Sequence, residues 1–456
     1  MKKVFILSFF IIISSYPQSL KSKLDEVLNN KFFESCLVSI QIEDLTANKT
    51  LYRKNEKMLL RPASNMKILT SSAGLLYLGS DYEFKTDLYY DGYVSNDSLY
   101  GNVYVVGGCD PDFVTQDLYS FVDAIKSLNI SVITGNLYGD VSFKDSLFWG
   151  KGWMWDDDPS SDAPYLSALN INDNCIEVTF DGKLNLTEIN PKTKYVDIRR
   201  IENNEKLFID RNWIERKNEI IIKGKNDDKK YSAKLNLIQP EKYFLTVFTE
   251  VLDSNSIELN GSIEINKIPP YAQKIGTFSR TYGDIIENLN KTSDNLSAEM
   301  TLYALAEKYS GKPATADSGI KIINIMIDSL GLNHQIYRLV DGSGVSHYNV
   351  VSTELIVSIL KYLYDQHPEL YEVLYNSFPI AGVDGTLENR MLKTSVNKNV
   401  HAKTGTLTGV SCLSGYVTAK NNQTLAFSIM MQNFVGSSKS ARDLQDKICK
   451  ILAEFN

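Results

Sequence analysis

Histidine is scarce in this 456-residue chain: only His334, His347, His367 and His401 are present, with no pair at H-x-x-x-H or similar spacing. A metal site built on imidazoles is therefore not expected. The G-x-S-x-G elbow is missing too, which speaks against a serine nucleophile that relies on histidine. Cysteine is sparse, and Cys36, Cys109, Cys175, Cys412 and Cys449 are odd in number, widely scattered and without a C-x-x-C. They give no disulfide framework and read better as buried thiols than as a pair. Low-complexity tracts are absent, and no internal apolar run approaches the roughly 20 residues that span a bilayer. Basic charge is not in excess, the formal net charge being −7. That balance excludes a long face for nucleic acid.

What is present begins at the N-terminus. Lys2 and Lys3 precede VFILSFFIII (4–13), an uncharged run of ten residues, and SSYPQS (14–19) follows. The run is too short to span a membrane, so residues 1–19 read as a cleaved secretory signal peptide. No cysteine follows directly, so no lipid anchor is expected. The mature protein should be periplasmic or otherwise extracytoplasmic, with no stable membrane anchor and a net charge of −9 once Lys2 and Lys3 are gone. The remaining length is ample for two or three domains.

Along the chain, 22–30 reads as a helix and 37–55 as a hairpin. The stretch RPASNMKILTSSAGLLYLG (61–79) reads as a helix start followed by an apolar helix. From about residue 85 to 240 the texture is strand-rich, with the dense charges of 206–224 suggesting exposed antiparallel strands. Segments 117–140 and 241–265 repeat one order of parts, helix, loop, strand and glycine. Beyond 270 the pattern turns helical (280–311, 318–332, 352–376). It closes as a strand over 400–420, a strand over 425–434 and a helix over 440–455, whose apolar positions suit packing on a sheet. An α/β domain split by a large β-rich insertion is the simplest account.

The chemistry-bearing patterns are individually weak. S-x-x-K occurs at Ser64/Lys67, Ser318/Lys321, Ser358/Lys361 and Ser395/Lys398. S-x-N occurs at Ser127/Asn129, Ser293/Asn295 and Ser395/Asn397, and K-T-G once, at Lys403-Thr404-Gly405. Only Ser64/Lys67 opens an apolar helix, where an offset of three puts both side chains on one face. Ser293-Asp294-Asn295 falls in a break between helical patterns, and Lys403-Thr404-Gly405 in a strand whose glycine would let a ligand backbone come close. Together they make an acyl-transfer site without histidine. Lys67, made basic by desolvation or by the neighbouring Lys403, would activate Ser64. Ser293 would pass a proton to the leaving amine and Asn295 would hold a substrate amide. Lys403, Thr404 and Thr406 would grip a carboxylate, and the backbone N–H groups of Ser64 and Thr406 would form the oxyanion hole. The bland alternative is a helix cap, an interhelical turn and a bulged strand.

The three patterns match in order the signatures of penicillin-binding proteins and serine β-lactamases. Their wide first spacing and the β-rich insertion resemble the low-molecular-mass class C penicillin-binding proteins. That is the D-alanyl-D-alanine carboxypeptidase/endopeptidase family of the DacB type, peptidase family S13. GGCDPDF (107–113), GWMWDDDP (152–159), DGSGVSHYN (341–349) and PIAGVDGTLENR (379–390) fit the same family, with Cys109 standing where a glycine or other small residue is usual. The resemblance implies a penicillin-binding-protein/β-lactamase-like fold, with an antiparallel sheet flanked by helices. It implies catalytic domain I over 20–84 and 271–456, domain II over 85–175 and 236–270, and domain III over 176–235. It also implies a serine DD-peptidase acting on peptidoglycan stem peptides, acylated by β-lactam antibiotics and needing no cofactor or metal. Thr404, Gly405 and Thr406 would bind substrate, and Asp157 would take the amine of the stem's diamino acid. Oligomeric state stays open, a homodimer included. Two other readings are a β-lactamase and a catalytically silent envelope-binding homologue. For the first, a class A-like E-x-x-L-N segment is lacking, since Glu287-Asn288-Leu289-Asn290 precedes Ser293.

Overall fold

A computed structural model describes residues 19–456. The expected signal peptide lies outside these residues except for Ser19. One antiparallel sheet organises the catalytic half, in the order 400–407, 410–418, 424–432, 37–44, 49–54. Its central strands are apolar or small at nearly every position and are buried on both faces. Alternation then sorts the side chains. Leu413, Val417, Phe427 and Ile429 pack with the helices Leu20–Leu28 and Lys439–Ala453, while Cys412, Tyr416, Ala426 and Met430 face the helices on the other side. That other layer holds Met66–Tyr77, Asn295–Ser310, Ala316–Ser329 and Thr353–Gln366.

Three sequence readings need correction. The segment 400–420 is a hairpin, Val400–Leu407 and Val410–Thr418, rather than one strand. The helical stretch 352–376 is two helices, broken at His367 because Pro368 disfavours helical backbone in the residue before it. The strands of 206–224 are exposed on one face only: Arg211, Ile220 and Ile222 are buried, because period-two alternation turns every second residue inward.

The insertion leaves and rejoins the catalytic half through paired strands. Glu83–Tyr90 and Gln273–Thr281 are antiparallel neighbours in a five-stranded sheet with 103–106, 137–140 and 263–265. That sheet ends at Thr281, past residue 270, where the sequence places the return to the catalytic half. The repeated order of parts has a structural meaning. Val132 pairs with Glu258 and Leu137 with Ile263 in parallel, a constant offset of 126 residues, and the helices Leu118–Ser127 and Pro240–Ser254 pack on each other. A third copy, missed in the sequence, lies at 98–106: Ser98 pairs with Val132 and Val103 with Leu137, offset by 34. Two further three-stranded sheets, 186–190/175–181/230–236 and 197–201/219–223/208–211, form the distal lobe. Trp153, Ala163 and Leu166 of the insertion enter the catalytic core, so the insertion borders the site directly.

Candidate active site

Ser64 lies in a tight turn, Ala63–Asn65, that runs straight into the helix Met66–Tyr77. No side-chain cap closes that helix, so Ser64 is not spent as a capping residue. The turn is held against the strand Val400–Leu407 by Asn65, whose Nδ2 donates to Lys403 O at 2.7 Å and whose Oδ1 accepts from Ser414 Oγ at 3.1 Å. Lys67, one helical turn on, is fully buried. Its Nζ lies 3.2 Å from Ser64 Oγ and donates to Ser343 O at 2.8 Å and to Asn295 Oδ1.

Asn295 opens the helix Asn295–Ser310, whose cap is Asp294 accepting from Ser297 N at 2.5 Å. Ser293 precedes that cap at φ 68°, a left-handed conformation that is strained for a serine and turns the chain sharply between two helices. Asn295 Nδ2 donates to Asp162 O at 2.5 Å, a carbonyl contributed by the insertion.

Burial, before any other cause, brings the Lys67 ammonium down to about 8, with the carboxylates of Asp294, Asp341 and Glu299 opposing the shift. The sequence reading offered the Lys403 charge as an alternative cause. That influence runs chiefly the other way: Lys403 is itself held well below the usual range, by burial first and by Lys67 second.

A loop that the sequence reading did not assign to the site supplies the third Lys67 partner. Asp341 accepts from Gly344 N at 2.9 Å, Ser346 N at 2.7 Å, Asn349 Nδ2 at 2.6 Å and Trp153 Nε1 at 2.9 Å. Glu299 Oε1 accepts from Gly342 N at 3.0 Å and Ser343 N at 2.9 Å, while Thr70 Oγ1 donates to Gly342 O at 2.6 Å. Burial, and then the charge of Asp341, raises Glu299 to about 8. The loop is thereby fixed with the Ser343 carbonyl turned onto Lys67. The Asp-Gly-Ser-Gly turn and Glu299 in the apolar first half of its helix were the available sequence signals.

These elements enclose a cleft of about 990 Å³ lined by Ser64, Ser293, Asn295, Thr404, Gly405 and Thr406, and also by Asp156, Asp157 and Asp162. A deep serine–lysine pair in such a cleft has the parts for acyl transfer. A family model for D-Ala-D-Ala carboxypeptidase 3 (S13) matches residues 20–455. The chain belongs to that family.

Two relatives of this S13 chain match it over most of their length. It is 28% identical to the D-alanyl-D-alanine carboxypeptidase DacB of Haemophilus influenzae, over 92% of this chain and 89% of that one. It is also 28% identical to the D-alanyl-D-alanine carboxypeptidase of Actinomadura sp. strain R39, over 96% and 85%. The crystal structure of H. influenzae penicillin-binding protein 4 superposes with a TM-score of 0.82 at 27% identity, covering 93% of this chain and 97% of that one. The same protein complexed with a novel β-lactam superposes with a TM-score of 0.77 at 25% identity, covering 93% and 98%.

Of the residues singled out from sequence, Ser64, Lys67 and Asn295 meet directly. Ser293, Thr404, Gly405, Thr406 and Asp157 line the same cleft. Lys403 sits behind the cleft wall, fully buried, its Nζ donating to Thr404 O at 3.2 Å. Gly405 also admits a close approach within the protein itself. A Cβ there would stand 2.7 Å from Pro62 O and 3.1 Å from Ser64 N, so what comes close is the protein's own serine turn. Asp157 spends Oδ2 on the Met154 amide at 2.7 Å, and burial raises its carboxyl. The other S-x-x-K matches have ordinary employment: Ser318 Oγ accepts from the capping Thr315 Oγ1 at 3.0 Å, Lys361 pairs with Asp365, and Ser395 Oγ donates to Glu454 at 3.3 Å. All five cysteines are free thiols, and Cys109 takes φ 64°, a backbone conformation that favours glycine.

Proposed function

We propose that this S13 chain is an acyl-enzyme DD-peptidase that cleaves D-Ala-D-Ala termini or D-Ala–diaminopimelate cross-links of peptidoglycan stem peptides. The observation that carries the reading is the buried Lys67 amine 3.2 Å from Ser64 Oγ. Lys67, neutral above about pH 8, takes the Ser64 proton as Oγ attacks the carbonyl of the penultimate D-Ala. The Ser64 and Thr406 amides receive the developing oxyanion. As the C–N bond breaks, the proton passes from Lys67 through the Ser293 hydroxyl to the leaving nitrogen. Water then attacks the Ser64 ester, with Lys67 again taking the proton, and frees the serine. Asn295 holds both Lys67 and the substrate amide. Thr404, Thr406 and Lys403, recharged by an incoming carboxylate, grip the C-terminus, and Asp157 receives the diamino acid's ammonium.

β-Lactams should acylate the same serine, as suggested by the complex of the H. influenzae relative. Among the described residues the direct partners of Lys67 Nζ are Ser64, Asn295 and Ser343 O, none of them a carboxylate. That supports a long-lived adduct over rapid turnover. No helix among the described residues is long and apolar enough to cross a membrane; action outside the cytoplasm rests on the signal-peptide reading of residues 1–19. The proposed division is catalytic domain I (20–84 and 271–456), domain II (85–175 and 236–270) and domain III (176–235).

Fluorescent penicillin tests the reading. A stable label on the wild type, lost in Ser64→Ala, is expected, together with D-alanine release from a stem pentapeptide. Rapid antibiotic hydrolysis without adduct would indicate a β-lactamase. A folded protein that is neither labelled nor active would be a binding homologue.

A further inference from the structure

The rim of the cleft carries an aromatic patch that the acyl-transfer chemistry does not use. Trp155 is 73% exposed and lies in sequence between Met154 and Asp156, which both line the cleft. Its ring rests on Trp213 of the distal lobe, with centroids 4.8 Å apart and planes tilted by 38°. Ile214, beside Trp213, is 77% exposed. The neighbouring tryptophans of the same loop are employed differently. Trp149 packs edge-on to Trp153, and Trp153 is buried with its Nε1 on Asp341. Trp155 and Ile214 instead leave large apolar side chains open to water, the one in contact with Trp213 and the other next to it in sequence.

We propose that Trp155 and Trp213 form a stacking platform for a pyranose ring of the glycan strand to which the stem peptide is attached. The proposal rests on the peptidoglycan reading above and adds to it a sugar subsite outside the peptide cleft. A pyranose presents a flat array of C–H bonds on one face, and an open indole is the side chain that covers such a face at small entropic cost. The direction of the substrate agrees. With the scissile carbonyl at Ser64 and the diamino acid at Asp157, two residues of the stem separate that diamino acid from the sugar. That linker is short, and Trp155 is two residues from Asp157 in the chain. The platform is built from two parts of the insertion, so it exists only when the distal lobe is docked against the loop.

Two measurements test it. Saturation-transfer NMR with the peptide-free disaccharide of N-acetylglucosamine and N-acetylmuramic acid should show binding to the full-length protein, retained in Trp155→Phe and lost in Trp155→Ala and Trp213→Ala. With turnover as readout, wild type should have a kcat/KM about five- to tenfold higher for the disaccharide-linked pentapeptide than for the free pentapeptide. Trp155→Ala should remove that preference while leaving the free-peptide rate and penicillin acylation unchanged. No disaccharide binding by wild type, no preference for the sugar-bearing substrate, or an equal loss on both substrates would overturn the platform. Disaccharide binding by a protein that penicillin does not acylate would instead overturn the peptidase reading and leave the sugar site standing.

Discussion

A lysine with no exposed surface is costly unless its charge is reduced or its amine is hydrogen-bonded, and Lys67 shows both responses. Its amine is brought down to about 8, mainly by burial. In the proposed mechanism the neutral form is the base, and its population grows as pH rises. Penicillin acylation should therefore fall about tenfold per pH unit below about 8 and level off above it. Stopped-flow acylation across pH checks this; a flat profile from pH 6 to 9 would contradict it. Lys67→Arg, which cannot act as a base, should abolish acylation. Asp157→Ala should lower kcat/KM about tenfold on diaminopimelate peptides and little on peptides without that amine; steady-state kinetics on the two peptide series decides. At this scale the sequence was most legible. Ser64, Lys67 and Asn295 meet as expected because each belongs to a short motif at the start of an element. Glu299 and Asp341 were not assigned, since neither sits in a catalytic motif and their value comes only from the loop they hold.

Among the elements, what decides the site is how closely the serine turn is clasped. On one side Gly405 of the strand Val400–Leu407 lies against it, and on the other Gly344, φ 87°, where a Cβ would meet Ala63 O at 1.9 Å. Gly405→Ala should cost about 1–3 kcal/mol and slow acylation by shifting Ser64 away from Lys67. Gly344→Ala should cost more, because it adds strained backbone to the clash. Thermal denaturation and the acylation rate measured together check both, and stability unchanged by either would refute the clasp. The hairpin 400–418 and the break at His367 were misread from sequence because local pattern shows that chain is extended or helical, not where it reverses. The threefold strand repeat was half legible: its helices marked two copies, while the copy at 98–106 has no helix to mark it.

Over the whole molecule, the insertion is tied to the cleft as well as spliced into the catalytic half. Arg211 of the distal lobe is fully buried and paired with Asp158, which also accepts from Tyr165 OH at 3.0 Å. Asp158 adjoins Asp157, so this pair anchors the loop that faces the serine. Arg211→Leu leaves a buried carboxylate unpaired and should destabilise the protein by about 3–5 kcal/mol. It should also weaken the diaminopimelate preference, whereas the acylation rate by penicillin should hold where the protein is folded. Denaturant unfolding and peptide selectivity check it. By itself the sequence pointed to the family, singled out Ser64 and Lys67, and recorded the alternation of helical and β-rich stretches. Those depend on residue type and near spacing, which a linear pattern records. Only the tertiary structure decided that burial, more than Lys403, tunes Lys67. It alone showed that Gly405 admits the serine turn and that Ser343 gives Lys67 its third partner. The same holds for the meeting of Trp155 with Trp213 at the cleft rim. Each depends on segments far apart in the chain coming within a few ångströms, and desolvation, steric clearance and stacking exist only once they do.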